Sequence, residues 1–437
     1  MSAIDETHDP ARRSWVASAN LPGTDFPIQN LPFAVFRAAD GRQRVGVGIG
    51  DDILDVSAVA SHMQGLAAQA AQACGQPALN ALMALGPAAR RALRAALSQG
   101  LDARQERRPL APALLPQSEV ELCLPARIGG FTDFFASIDH AANAGRLFRP
   151  DAPLLPNYRY VPVAYNGRAN SVRVEPGIRR PWGQVRAAGE DEPRFTPSQR
   201  LDYEVELGAY IGPGSAPDAP LAVSRAWEHI FGFSLLNDWS ARDIQAWEYQ
   251  PLGPFLAKSF ATSVAPWVIT PEALAPFRCA ARPRGPSEPA PLPHLHDAAD
   301  QAGGGVEIVL ELGLRSARMA EQGLPAHILS RGNTRDLYWT FAQMLAHHTS
   351  NGSALDSADL LGSGTVSGAG SDTRGSLLEL TRGGAEPITL PGGEQRGFLA
   401  DGDEVSIRGR CERAGAVGIG FGHCVGRILP ARQETRT

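Results

Sequence analysis

LDYEVELGAYIG, residues 201–212, reads as a β-strand: apolar and aromatic residues run from Tyr203 to Ile211, and Gly212 ends them. Strand side chains alternate faces, so Glu204 and Glu206 point one way while Tyr203, Val205 and Leu207 point the other. Two carboxylates side by side repel unless something positive sits between them. The pair fits either a solvated polar face or oxygen ligands for a hard cation, and the second is the sharper reading.

Short apolar runs bounded by Gly and Pro recur on both sides of this segment. From about residue 119 onward ELCL, YVPVAY, SVAPWVIT, VEIVLELGL, LLELT and GDEVSIRG all read as strands. The 46 Gly and 35 Pro among 437 residues call for many turns and few long helices. Helices are expected at 133–146, 224–230, 239–248 and 334–349. AAGEDEPRFTPS and CAARPRGPSEPAPLPHLHDAADQAGGG, ending at Ser198 and Gly305, are short on packing residues and read as surface insertions. Upstream, PFAVFR and QRVGVGIGDDILDV predict a small β unit at about 30–60 with a hairpin at GDD. ALNALMALG and ARRALRAALSQ carry helical spacing within 64–100, ending at Gly100. RRPLAPALLPQSE reads as a linker at about 108–118. The expected organisation is an N-terminal domain, 1–117, and a catalytic domain, 118–437, mainly β with some α.

Composition narrows the function classes. With 43% hydrophobic and 20% charged residues the chain is ordinary globular protein. A net charge of -5 with scattered Lys and Arg offers no polyanion surface, so nucleic acid is not an expected partner. No stretch approaches the ~20 apolar residues that span a bilayer, and MSAIDETHDP lacks the apolar core of a signal peptide. The five cysteines are far apart with no CxxC, which reads as free thiols in a reducing cytoplasm.

Two more segments carry chemistry. In FTDFFASIDHAANAGRLFR (131–149), a helix over 133–146 would set Asp133 and His140 two turns apart on one face. An acid and a histidine facing one cleft are the parts of a metal-plus-base site, although a lone helical histidine is commonly structural. In NDWSARDIQAWEYQPLGPFLAKSF (237–260), Asp238, Arg242 and Gln245 follow helical spacing and Lys258 comes after a Pro/Gly turn. Converging Arg, Gln and Lys side chains would donate to an oxyanion; each alone is also a plain salt-bridge partner. LGSGTVSGAG (361–370) lacks the lysine of a P-loop and the GxGxxG spacing, and it lacks GxSxG. His347 and His348 read as packing or capping residues at a helix end.

Together FTDFFASIDHAANAGRLFR, LLPNYRYVPVAYNGRANSV, DYEVELGAYIG, FGFSLLNDWSARDIQAWEYQPLGPFLAKSF, LLGSGTVSG and, near the start, FPIQNLPFAVF closely resemble the fumarylacetoacetase family over nearly the whole chain. The resemblance implies an SH3-like barrel followed by a mixed β-sandwich roll, in a homodimer. It implies a hydrolase that splits the C–C bond of 4-fumarylacetoacetate, a 3,5-diketo acid, into fumarate and acetoacetate in tyrosine and phenylalanine catabolism. Asp133, Glu204, Glu206 and Asp238 fall on the family's calcium (Ca2+) ligands, a position magnesium (Mg2+) would also fit. His140 falls on its general base, and Glu379, in GSLLELT, on the carboxylate that orients that base. Arg242, Gln245 and Lys258 match the donors to the oxyanion and leaving group. Phe135, Arg149, Tyr165, Gln245, Tyr249 and Thr365 fall on substrate contacts. Asp238, Lys258 and Thr262 match a second site, for Mg2+. The sequence departs at Phe135, where the family has a tyrosine, and at Asn166, where it has a histidine. Losing the phenol removes a hydrogen bond of roughly 0.5–1.5 kcal/mol and leaves room for a different diketo acid, such as an acylpyruvate.

Overall fold

Three sheets carry the chain in the computed structural model, which describes residues 3–433; residues 1–2 and 434–437 of the two expected domains lie outside it. The first sheet is antiparallel, in the order Leu114–Pro116, Asp52–Asp55, Gln43–Ile49, Phe33–Arg37, Glu121–Cys123. Its hairpin turns at Gly50, whose φ of +57° suits a residue without Cβ, at the GDD expected from the sequence. Helices Gly65–Ala73 and Gly86–Gly100 pack on each other beside it. The segment read as a linker at 108–118 instead contributes a strand to this sheet. Leu114–Pro116 pairs with Asp52–Leu54, and Glu121–Cys123 closes the opposite edge against Val35–Arg37.

The second sheet has seven strands: Ala164–Asn166, Phe131–Phe134, Leu360–Gly362, Val205–Ile211, Ile230–Asp238, Thr262–Val264, Val172–Arg173. The third has five: His327–Asn333, Val309–Arg315, Glu404–Cys411, Ile419–Leu429, Gly177–Arg179. Both are mixed, with parallel pairing at Leu360–Gly362 on Phe131–Asp133 and at Ile419–Leu429 on Gly177–Arg179. The two sheets face each other through Phe233, Leu235, Leu312, Ile407 and Phe421, all buried. They come so close at Gly409 that a Cβ there would lie 2.7 Å from Leu235. The architecture is the expected one, an SH3-like unit followed by a mixed β-sandwich roll.

The central strand Ile230–Asp238 is buried along all nine residues. Phe233 and Leu235 belong to the core between the two large sheets, and Phe231 and Leu236 to the core shared with the N-terminal sheet. Arg90, from the long N-terminal helix, meets Glu272 in a bidentate pair at 2.7 and 2.9 Å and donates to the carbonyls of Ile230 and Phe231. Leaving Glu272 buried without that partner would cost about 3–5 kcal/mol. The N-terminal unit thus clamps the strand that ends at Asp238.

Several local expectations are corrected. Residues 133–146 are not one helix. Phe131–Phe134 is a strand, held by Leu360–Gly362 on one side and Ala164–Asn166 on the other, and the helix runs Ile138–Phe148 behind its N-cap Ser137. Asp238 ends a strand, so only Arg242 and Gln245 share the short helix Arg242–Glu248. The expected helix at 224–230 is a 3-10 segment, Val223–Glu228. The one at 334–349 starts only at Phe341, where Thr340 and Gln343 form a capping box. LLELT is helical, not a strand: Ser376 caps Leu377–Leu380. The stretch 279–305 is packed rather than a loose insertion. Leu295 is fully buried, Arg282 pairs with Asp139 at 2.6 Å, and Arg284 lies over Tyr338 and Trp339.

Candidate active site

Period-2 alternation brings Asp202, Glu204 and Glu206 to one side of a chain that is broken as a strand only at Tyr203 and Glu204. The break is held open by other partners: Asn237 accepts the Glu204 N–H at 3.0 Å, and Val205 N–H goes to the Gly375 carbonyl. Asp133 arrives on its own strand opposite Gly362, and Asp238 at the end of the central strand. Asp133, Glu204, Glu206 and Asp238 are all buried, with ligand oxygens within 4.8 Å of one another. The solvated-face reading of Glu204 and Glu206 is therefore overturned.

Burial of four acids needs compensation. Lys258 supplies part of it: its Nζ donates to Asp238 at 3.0 Å and also bonds Glu204. Burial alone would lower Lys258, but Asp238 and Glu204 more than offset it and keep the ammonium charged. Burial likewise pushes Glu204 up, and Lys258 and Arg242 bring it below the usual carboxylate range. Arg242 spans Glu204 at 2.8 Å and Asp202 at 2.9 Å. Tyr165 donates its phenol to Asp238 at 2.5 Å, and burial beside that acid holds the phenol protonated. Thr262 donates to the other Asp238 oxygen at 3.0 Å.

Glu206 has no such help. It is fully buried, and neither of its oxygens has a hydrogen-bond partner. Burial and the neighbouring Asp133 and Asp238 push it well above its ordinary range, and Asp133 is raised by burial and Asp238. Among these neighbours, five carboxylates face two cations. An orphaned carboxylate within such an excess of negative oxygen fits a hard divalent cation. Asp133, Glu204, Glu206 and Asp238 would hold it. In the second set implied by the resemblance, Asp238 and Thr262 offer side-chain oxygens, whereas the Lys258 ammonium is a charged donor with no lone pair, which leaves only its main-chain carbonyl for a metal.

His140 stands in the first turn of the helix capped by Ser137, which accepts its N–H at 3.3 Å. Its Nδ1 faces Glu379 at 2.7 Å. Asn143, Ser367 and Ser376 all donate to Glu379 at 2.9 Å. Burial would raise Glu379, yet His140 and these donors hold it at about 2. An ionised Glu379 only accepts, so the imidazole proton sits on Nδ1 and Nε2 keeps its lone pair. Asp133 and His140 do share a cleft, but through a strand–turn–helix path instead of one helical face.

A cavity of about 300 Å³ collects nearly all the expected residues. Its wall includes Asp133, Phe135, His140, Arg149, Tyr165, Glu204, Arg242, Gln245, Tyr249, Lys258 and Thr365. Gln245 Oε1 accepts from Arg242 at 3.0 Å, which sets its amide N–H free to donate elsewhere. Arg149 Nε and Thr365 Oγ1 are buried without a hydrogen-bond partner, available to a ligand's polar atoms. The Phe135 ring meets His140 edge-on, centroids 5.2 Å apart. Glu206, Asp238, Thr262 and Glu379 lie behind the wall. Thr262 lines a larger cavity of about 700 Å³ on the other side of Tyr165 and Lys258, as does Asn166. The residues that sequence reasoning missed are the supports: Asp202, Ser137, Asn143, Ser367 and Ser376. Ser376 and Glu379 form an S-x-x-E pattern, and Asp202 continues the alternation of Glu204 and Glu206, so both left a signal.

Two family descriptions match. Fumarylacetoacetase N-terminal covers residues 29–125, and Fumarylacetoacetate (FAA) hydrolase C-terminal covers residues 131–429. The fumarylacetoacetase of Rattus norvegicus is 43% identical over 93% of this chain and 97% of its own. Those of Arabidopsis thaliana and Homo sapiens are each 44% identical over 93% of this chain, and over 96% and 97% of their own lengths. Identity of that extent over 93% of the chain, with both family descriptions matched, makes this chain a member of the fumarylacetoacetase family.

Proposed function

We propose that this chain hydrolyses the C–C bond of 4-fumarylacetoacetate to give fumarate and acetoacetate. The observation that carries this reading is the His140–Glu379 pair at 2.7 Å, set beside four clustered carboxylates in one cavity. Full-length relatives with that activity in their names support it.

His140 Nε2 takes a proton from water, while Glu379 stabilises the imidazolium and fixes its tautomer. The hydroxide attacks a ketone carbonyl. Arg242, Gln245 and Lys258 donate to the oxyanion that develops there. As the tetrahedral species collapses, the C–C bond breaks and the electron pair departs on carbon. A divalent cation bound by Asp133, Glu204, Glu206 and Asp238 would supply Lewis acidity to the diketone and to the departing enolate. His140 then returns its proton to the leaving carbon. Arg149, Tyr249 and Thr365 are the residues we assign to holding the rest of the substrate, with Phe135 as an apolar wall.

We assign calcium or magnesium to the cluster, because its donors are all hard oxygens. We place the enzyme in tyrosine and phenylalanine catabolism and in the cytoplasm, where five free thiols stay reduced, and we infer a homodimer. Among the described residues no helix is long and apolar enough to cross a membrane. The test is turnover of fumarylacetoacetate and of acylpyruvates, before and after EDTA and on returning Ca2+ or Mg2+. Fumarylacetoacetate is expected to be the better substrate, with activity lost to EDTA and regained. Preference for acylpyruvates would move the assignment to an acylpyruvate hydrolase; activity indifferent to EDTA would remove the cation.

A further inference from the structure

Asp202 is fully buried and belongs to neither the carboxylate cluster nor the base. Its Oδ1 accepts the N–H groups of Tyr203 and Leu377, each at 2.8 Å. Its Oδ2 accepts the Leu378 N–H at 3.0 Å and Arg242 Nε at 2.9 Å. Leu377 and Leu378 open the helical turn that presents Glu379 to His140. Arg242 is the guanidinium that reaches Glu204 and Gln245 at the cavity wall. One side chain therefore touches both the turn that carries the base's orienting acid and the arm that carries the oxyanion donor.

We propose that Asp202 is a positioning residue that couples these two halves of the site, fixing the Glu379 turn through its first two amides and the Arg242 guanidinium through its Nε. Only an ionised carboxylate meets all four donors, because a carboxylate accepts on both oxygens. A neutral amide would turn its NH2 toward either the Leu378 N–H and Arg242 or the Leu377 and Tyr203 N–H groups, so one side loses its acceptor. A misplaced donor costs rate more than affinity, since the oxyanion exists only in the transition state.

The inference rests on the hydrolase reading of the cavity, and the experiment separates the two. Fumarylacetoacetate turnover by the cation-loaded enzyme tests that reading first. Asp202→Asn is then expected to lower kcat about 10²-fold, the order lost with one oxyanion donor, with KM within threefold. In an Arg242→Ala background the same substitution should lower kcat less than tenfold, because the two act as one unit. Equal fold-losses in both backgrounds, or Asp202→Asn keeping kcat within threefold of the parent, would overturn the coupling. A measurement free of Asp202 variants covers the case where Asp202→Asn does not fold. Arg242→Ala alone should speed hydrogen exchange at the Leu377 and Leu378 amides at least tenfold, although Arg242 makes no hydrogen bond to either. Unchanged exchange there would equally overturn it.

Discussion

The two sides of the cavity are finished to different degrees. On the base side every Glu379 contact is satisfied: His140, Asn143, Ser367 and Ser376 all reach its carboxylate. On the carboxylate side Glu206 has no partner beyond the neighbouring acids, and Asp133 accepts the Gly364 N–H at 3.2 Å and meets the Glu206 carboxyl. The protein alone therefore sets the geometry of proton transfer. The charge balance of the cluster waits for something positive. The difference teaches which parts of the reaction are built into the chain and which are brought to it.

The largest expected effect breaks the finished side. His140→Ala should lower kcat by about 10³-fold, within the range for a positioned general base, while the cation titrates the cluster as before. Steady-state turnover together with calorimetric Ca2+ titration checks both halves; near-normal turnover would take the base assignment away from His140.

Next comes the unfinished side. Glu206→Gln should weaken cation binding by about 10–100-fold, the scale seen when a metal site loses a supporting group. The same change should raise the melting temperature in EDTA, because it removes a buried acid that nothing pairs. A variant that melts lower than the parent in EDTA would contradict the orphaned state of Glu206.

pH sharpens the contrast, since the two sides titrate in opposite senses. Glu379 is held at about 2 against an ordinary 4.5. Its contribution, on the order of 3 kcal/mol, is fully present above pH 4.5 and is lost as pH falls from there through 2. Asp133 and Glu206 are raised, so they destabilise the cation-free chain wherever they are ionised and cease to do so as they protonate. Urea midpoints in EDTA should rise as falling pH protonates Asp133 and Glu206, then fall below pH 4.5 as Glu379 protonates; with saturating Ca2+ the first rise should vanish. An initial rise that persists with Ca2+ would mean that other groups cause it.

The smallest effect is expected at Phe135. Phe135→Tyr would add a phenol at the cavity wall, lowering KM for fumarylacetoacetate about two- to tenfold, the value of one hydrogen bond, with kcat little changed. No change in KM would show that the phenol finds no partner on this substrate.

How legible this was depended on the range of the interaction. Glu204 and Glu206 share a face by period alone, and their burial is not local in the chain because it comes from separate strands such as Phe131–Phe134, Ile230–Asp238 and Leu360–Gly362. Asp133 and His140 share the cavity, but through a strand–turn–helix path and not through one helix. The local pattern of 133–146 is helical enough, and Gly362 and Tyr165 on either side turn its start into a strand. LLELT looked like a strand because its apolar content says nothing of period over so short a run, while Ser376 decides it as a helical turn. The supposed linker failed for the same reason. Leu114–Pro116 and Glu121–Cys123 are too short to declare themselves until the edges of the first sheet recruit them.

The mainly β, two-part architecture, the family and most of the side chains that line the cavity are legible in the sequence. These follow from alternation, turn residues and long specific motifs, which are local in the chain. Tertiary packing alone shows that Glu206 is buried without a donor, that the Lys258 ammonium pairs with Glu204 and Asp238, and that Asp202 joins Arg242 to the Glu379 turn. Each depends on how many donors and acceptors arrive at one buried point, and that number is set by strands and turns far apart in sequence.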